Sequence, residues 1–155
     1  MGYETNVMET LQDIPVLGNA FKGVDEQIRG AKALAEALKI NNSLTKFNLS
    51  CNKIDGEGAK ALTEALKENT SITRFSLNSN DIGDKGAQAL TEALKENTSI
   101  TKFSLNGNYI KDEGAKALAE VLKTNKSLTE IDLDYNEIGD EGAKELAKAL
   151  KINNS

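Results

Sequence analysis

The chain has 155 residues, 39% apolar and 28% charged, with a net charge of −5. That is one domain's worth of material with an ordinary soluble balance. The acidic balance argues against nonspecific nucleic-acid binding, which needs a basic stripe, and the absence of histidine removes the commonest general base and zinc ligand.

The opening MGYETN resembles a myristoylation signal only superficially, because Asn6 stands where Ser or Thr is needed. No apolar run approaches membrane-spanning length, and no signal-peptide pattern is present. No membrane partner is therefore expected. Residues 1–43 read as an N-terminal helical cap and partial repeat. Val7, Met8 and Leu11 suggest a short helix ending before Pro15. GAKALAEALKINN, from Gly30, is a helix with Leu34 and Leu38 on one face. Val24 and Ile28 extend that face upstream, and Asp25 is placed to cap it. The strand signature is lost before it, where Asn19 and Phe21 fall in columns otherwise filled by an apolar pair.

From Leu44 the chain divides into four 28-residue units, 44–71, 72–99, 100–127 and 128–155. ALTEALKENTS occurs twice without change, at Ala61–Ser71 and Ala89–Ser99. Each unit changes period partway. Phe47-x-Leu49 alternates as a strand does, with Lys46, Asn48 and Ser50 on the opposite face. From Gly58 the spacing is helical, with Ala59, Leu62, Ala65 and Leu66 on one side. Asp84, Asp112 and Asp140 stand two residues before the recurrent glycine and are expected to cap their own helices, with Gly56 in that column of the first unit. One strand and one helix cannot bury a core alone, so the units must stack.

LTKFNLSCNKI, ITRFSLNSNDI, ITKFSLNGNYI and LTEIDLDYNEI all fit L-x-x-L-x-L-x-x-N-x-I, the leucine-rich repeat signature. The G-A-x-x-L-x-x-x-L that follows resembles the ribonuclease-inhibitor subclass, also seen in NOD-like receptors and the Ran GTPase-activating protein. The resemblance implies an α/β leucine-rich repeat solenoid, with parallel strands on the concave face and helices on the convex face. It implies protein–protein recognition through that concave face and its edges, without catalysis. GTPase activation is the alternative that the Ran activator suggests, although no residue here matches its activating loops. A further alternative is a structural or self-associating part of a larger receptor or microbial effector.

The outward strand positions form columns. Lys46, Arg74, Lys102 and Glu130 make the first, and Asn48, Ser76, Ser104 and Asp132 the second. Ser50, Asn78, Asn106 and Asp134 make the third, with Cys51, Ser79, Gly107 and Tyr135 at the strand exits. These columns, with Tyr135, are the candidate partner-binding surface. Glu130, Asp132 and Asp134 interleave with the scaffold of LTEIDLDYN. Alternate residues on one strand lie ~6.6 Å apart, too far to share one cation tightly, so no metal or other cofactor is expected. Glu130 is expected to pair with Lys102 on the neighbouring strand. The acidic strip reads as a dock for a basic partner, weakening with salt.

Asn52, Asn80, Asn108 and Asn136 are expected to satisfy buried main-chain groups after each strand. Six Asn-x-Ser sequons occur, five of them in one column at the helix ends, where Asn suits a left-handed cap. Glycosylation is not expected. Cys51, the sole cysteine, reads as a passive semi-exposed residue, and with no disulfide framework the expected localisation is cytoplasmic, or host cytosol for a secreted effector. Lys/Glu pairs at i,i+4 are expected on the convex helices. LKINNS closes both 38–43 and 150–155, and the chain stops where another strand is due. A piece of a longer protein is the first reading of that ending. Weak self-association through an uncapped C-terminal face is the second.

Overall fold

The computed structural model describes residues 24–153. The expected helix at Val7, Met8 and Leu11, the stop at Pro15 and the columns at Asn19 and Phe21 lie outside the described residues. Helix α1 spans Val24–Ile40, so Asp25 falls within it and not before it. Four strand–helix units follow: β1 (Lys46–Asn48) with α2 (Gly56–Glu68), and β2 (Arg74–Ser76) with α3 (Gly83–Glu96). β3 (Lys102–Ser104) leads to α4 (Asp112–Thr124), and β4 (Glu130–Asp132) to α5 (Asp140–Ile152). The strands form one parallel sheet in sequence order. This is a leucine-rich repeat solenoid, with the sheet on one side and the helices stacked along the other.

Register follows the repeat. Phe47 pairs with Phe75, Phe75 with Phe103, and Phe103 with Ile131. The three phenylalanine rings stack beneath the sheet at centroid separations of 5.6 Å. Leu49, Leu77 and Leu105 are fully buried beside them. Leu62, Leu66, Leu90, Leu94 and Leu118 close the core from the helix side. In the fourth unit Ile131, Leu133, Ile138 and Leu146 are only partly buried, while Leu150 is exposed.

Strands of three residues satisfy few main-chain groups, and the loops beyond them carry buried donors and acceptors. Asparagine side chains complete the set. Asn80 Nδ2 donates to Leu49 O of the preceding unit at 3.0 Å and to its own Leu77 O at 2.9 Å. Its Oδ1 accepts from Asn52 N and Ile54 N, both at 2.9 Å. Asn136 repeats the arrangement, donating to Leu105 O and Leu133 O and accepting from Asn108 N and Ile110 N. One amide thus satisfies buried main-chain groups, as the sequence column suggested, and in doing so joins two consecutive units through four bonds.

A second asparagine ladder runs along the helix C-termini, in a form the sequence misread. Asn69, Asn97 and Asn125 are extended, with φ near −70° (−71°, −71° and −65°), and not left-handed. Their side chains work sideways. Asn69 Nδ2 donates to Leu38 O and Asn41 O of the preceding unit, and Oδ1 accepts from Ser71 N and Ile72 N. The amide turns the chain from helix to strand while tying it to its neighbour. Left-handed backbone occurs instead at the strand exits, in Cys51, Ser79, Gly107 and Tyr135, and just beyond them in Lys53 and Tyr109.

Helix capping also differs from expectation. Asp55 caps its own helix, accepting from Gly58 N at 2.9 Å. Asp84 and Asp112 do not. Asp84 Oδ1 accepts from Lys111 N and Gly114 N, both at 2.8 Å and both at the start of the following helix. Asp112 Oδ1 does the same for Gly139 N and Gly142 N. Parallel stacking sets the first turn of each helix beside the next, so the nearest free N–H groups belong to the neighbouring unit. The glycine column follows from crowding by the isoleucine of the same unit, whose Cγ2 would lie 2.5–2.9 Å from a Cβ at Gly58, Gly86, Gly114 or Gly142, and at Gly114 the Asp84 Oδ1 approach of 2.6 Å adds to it. The convex Lys/Glu pairs are likewise spaced i,i+3, as in Glu64–Lys67 and Glu92–Lys95, and not i,i+4.

Two substitutions separate these locks. Asn80→Ala leaves Asn52 N and Ile54 N without their acceptor, while Leu49 O and Leu77 O keep Asn52 Nδ2 and Asn108 Nδ2, and is expected to cost about 2–4 kcal/mol, read from the urea midpoint. Asp112→Ala removes a cap at a half-buried site and is expected to cost about 1 kcal/mol by the same measurement.

Candidate functional site

Inward residues of the short strands are consumed by the core, which leaves the alternate positions on the open face of the sheet. Lys46, Arg74, Lys102 and Glu130 are mutual register partners, as are Asn48, Ser76, Ser104 and Asp132. Together with Ser50 and Asn78 they line one shallow depression across all four strands, floored by the edges of Phe47, Phe75 and Phe103. Asn106, Asp134 and Tyr135 lie outside its lining, at the strand-exit edge. Asn106 N donates to Asn78 Oδ1 at 2.9 Å, and Tyr135 is 88% exposed.

Hydrogen bonds organise the centre of the face. Ser50 Oγ and Ser76 Oγ lie 2.9 Å apart. The Ser104 hydroxyl lies 2.5 Å from Asn78 Oδ1 and 3.1 Å from Asp132 Oδ2, and donates its single proton between them. Asp132 Oδ1 accepts from Asp134 N at 2.9 Å, which fixes that carboxylate on the sheet. Lys102 Nζ meets Glu130 Oε2 at 2.7 Å, the cross-strand pair that the columns implied. Among the described residues, Lys46 and Arg74 make no ion pair, and neither do Asp132 and Asp134.

The sequence columns passed over Tyr109. It is 59% exposed, with φ 57°, two residues beyond the strand-exit position of its unit. The signal lay in its own column of Lys53, Asp81, Tyr109 and Glu137, where no apolar residue is repeated. Cys51 is exposed at the same edge, as expected. Asn69, Asn97 and Asn125 are buried, so three of the sequons are closed to a glycosyl carrier in the folded chain. No group of carboxylates or other donors spaced for a metal ion occurs among the described residues, and no described helix is long and apolar enough to cross a membrane.

The convex face has a different electrostatic character, because many of its charges pair along each helix. Lys67 is raised above the ordinary lysine value by its hydrogen bond from Nζ to Glu64, against a smaller opposing cost of desolvation. Glu92 and Glu145 are held below the ordinary carboxylate value by the hydrogen bonds from Lys95 and Lys148. The described helices therefore carry several i,i+3 ion pairs, while on the sheet Lys102 and Glu130 pair and Lys46, Arg74 and Asp132 do not.

The TMOD/LMOD leucine-rich domain model matches residues 77–155, half of the chain. The chain belongs to the TMOD/LMOD leucine-rich family. A general leucine-rich repeat model matches residues 41–62, over the first unit. Among solved structures, this TMOD/LMOD-type domain is similar to one described as leiomodin-1 actin-binding site 2. The two are 26% identical, with a TM-score of 0.67, covering 87% of this chain and 76% of the other. The tropomodulin C-terminal domain of Caenorhabditis elegans shares the fold at 18% identity, with a TM-score of 0.56, covering 79% of this chain and 92% of that one. No curated protein sequence matches the chain.

The helix ion pairs of this TMOD/LMOD-type domain carry a pH dependence whose sign is set by the carboxylates. Their depressed pKa contributes stability that is present above the ordinary value of 4.5 and lost as pH falls through the folded value. Melting temperature is expected to fall between about pH 5 and pH 3, and Glu92→Gln with Glu145→Gln should flatten that fall slightly.

Proposed function

We propose that this chain is a protein-recognition module of the actin cytoskeleton, and that it takes an actin surface on the concave sheet face and its strand-exit edge. The observation carrying this reading is the likeness, over most of the chain, to a leiomodin-1 domain described as an actin-binding site. Physical features of the face support it. The candidate residues Lys46, Arg74 and Asp132 hold unpaired charge on strands, with Asp134 just after β4, whereas many convex charges pair along their helices. Four strands span ~15–20 Å, enough for a modest protein interface. The role is binding without catalysis, and the compartment is the cytoplasm. Residues 1–43 act in this reading as the cap and partial repeat that precede the four binding units.

Cosedimentation with filamentous actin and fluorescence titration of monomeric actin test the proposal in two steps. The unaltered chain should bind at least one form, more weakly as salt is raised. Changing Glu130, Asp132 and Asp134 together to Ser should weaken binding by about tenfold at low salt, with a far smaller effect at high salt. No binding by the unaltered chain overturns the choice of actin. Undiminished binding by the triple variant overturns the choice of this face.

A further inference from the structure

The concave face is not uniformly charged, and its charges are sorted by strand. On β1 and β2, Lys46 and Arg74 lie side by side in register and without ion pairs among the described residues. The third cation of the column, Lys102, is already neutralised by Glu130 at 2.7 Å. Past that pair stand two carboxylates, Asp132 on β4 and Asp134 just after it. Asp132 is held in place by Ser104 Oγ and Asp134 N. In the first three units the second and third columns are neutral, built of Asn48, Ser50, Ser76, Asn78, Ser104 and Asn106. The face therefore carries a cationic pole on β1 and β2 and an anionic pole at the end of β4, with the cancelled Lys102–Glu130 pair beside the latter.

Sorting of this kind has a consequence for recognition. A uniformly charged partner gains at one pole what it loses at the other, so neither a plain acidic nor a plain basic surface fits the whole face. Strand spacing sets the separation. Arg74 and Asp132 stand two strands apart and two residues out of register, ~12 Å, and Lys46 and Asp132 three strands apart with the same offset, ~16 Å. The two poles sit on a fixed sheet and so cannot collapse onto each other.

We infer that the concave face recognises a bipolar protein segment, one that places a carboxylate over Lys46 and Arg74 and a Lys or Arg over Asp132 and Asp134. This rests on the reading of the concave face as the binding surface, and it names the chemistry of what binds there. The segment lies across the strands in one direction only, because reversal sets like charge against like at both poles. The Lys102–Glu130 pair, on β3 and β4, borders the anionic pole and contributes shape but no net attraction.

Amide chemical-shift mapping on the full isotope-labelled chain tests this without actin. Three synthetic probes are titrated: a Glu-rich peptide, a Lys-rich peptide, and a peptide joining the two sequences through a neutral spacer of about 12 Å. The Glu-rich probe should shift the amides of 46–48 and 74–76, and the Lys-rich probe those of 130–135. The joined probe should bind at least about tenfold more tightly than either alone, because its second contact is intramolecular. Lys46→Glu with Arg74→Glu should abolish the first response, preserve the second, and remove the gain from joining. Shifts confined to the convex lysines, or a joined probe no tighter than its parts, would overturn the inference. A chain that passes here but ignores actin keeps its bipolar site and loses only the proposed partner. A chain that binds actin while failing here keeps the partner and loses the charge pattern.

Discussion

The structure depends on the side-chain amide of an asparagine reaching across to the preceding repeat. Strands of three residues cannot form a sheet with enough main-chain bonds to hold register, and buried peptide groups without partners would each cost about 1–3 kcal/mol. Asn80 and Asn136 resolve this by joining the exit of one strand to the entry of the next loop with four hydrogen bonds each. An amide can do this because it offers two donors and an acceptor in one plane. An aspartate of the same shape would have no donor to give Leu49 O or Leu105 O.

Register fixed in this way passes directly to the surface. When Phe47, Phe75 and Phe103 stack, the residues on either side of them are forced into columns facing solvent. Charge order on the concave face is therefore sequence order at a 28-residue step, with no flexible element between a residue's place in its unit and its place on the face. The second asparagine ladder and the aspartates that cap neighbouring helices act on the opposite side of the solenoid. Each is an inter-unit bond, so cohesion comes from the contacts between units and little of it from within any one of them.

Most of this was legible in the sequence because the relevant signals repeat. Identical spacing of Phe47, Leu49, Asn52 and Ile54 in later units gave the strands, the core and the first ladder, and adjacency of equivalent positions gave the Lys102–Glu130 pair. What was not legible concerns direction. A periodic sequence does not distinguish a side chain that bonds within its own unit from one that bonds to the next, so Asp84 and Asp112 were assigned to the wrong helices. Asn69 is ambiguous for a related reason. Its residue type suits a left-handed backbone, but its buried amide is used sideways, and the backbone remains extended. Tyr109 falls outside the outward columns, because these end at the strand exit while the exposed edge extends two residues further.

Native-state hydrogen exchange at increasing urea measures the central lock most directly. If asparagine amides bind the units into one cooperative body, the amides of Asn52 and Ile54, both bonded to Asn80 Oδ1, open only with the helices around them. Their exchange should then rise with urea as steeply as that of Ala59 and Leu62. Exchange at Asn52 and Ile54 that is fast and indifferent to urea, while α2 stays protected, would mean that the loop opens by itself and that the asparagine bridge does not hold the solenoid together.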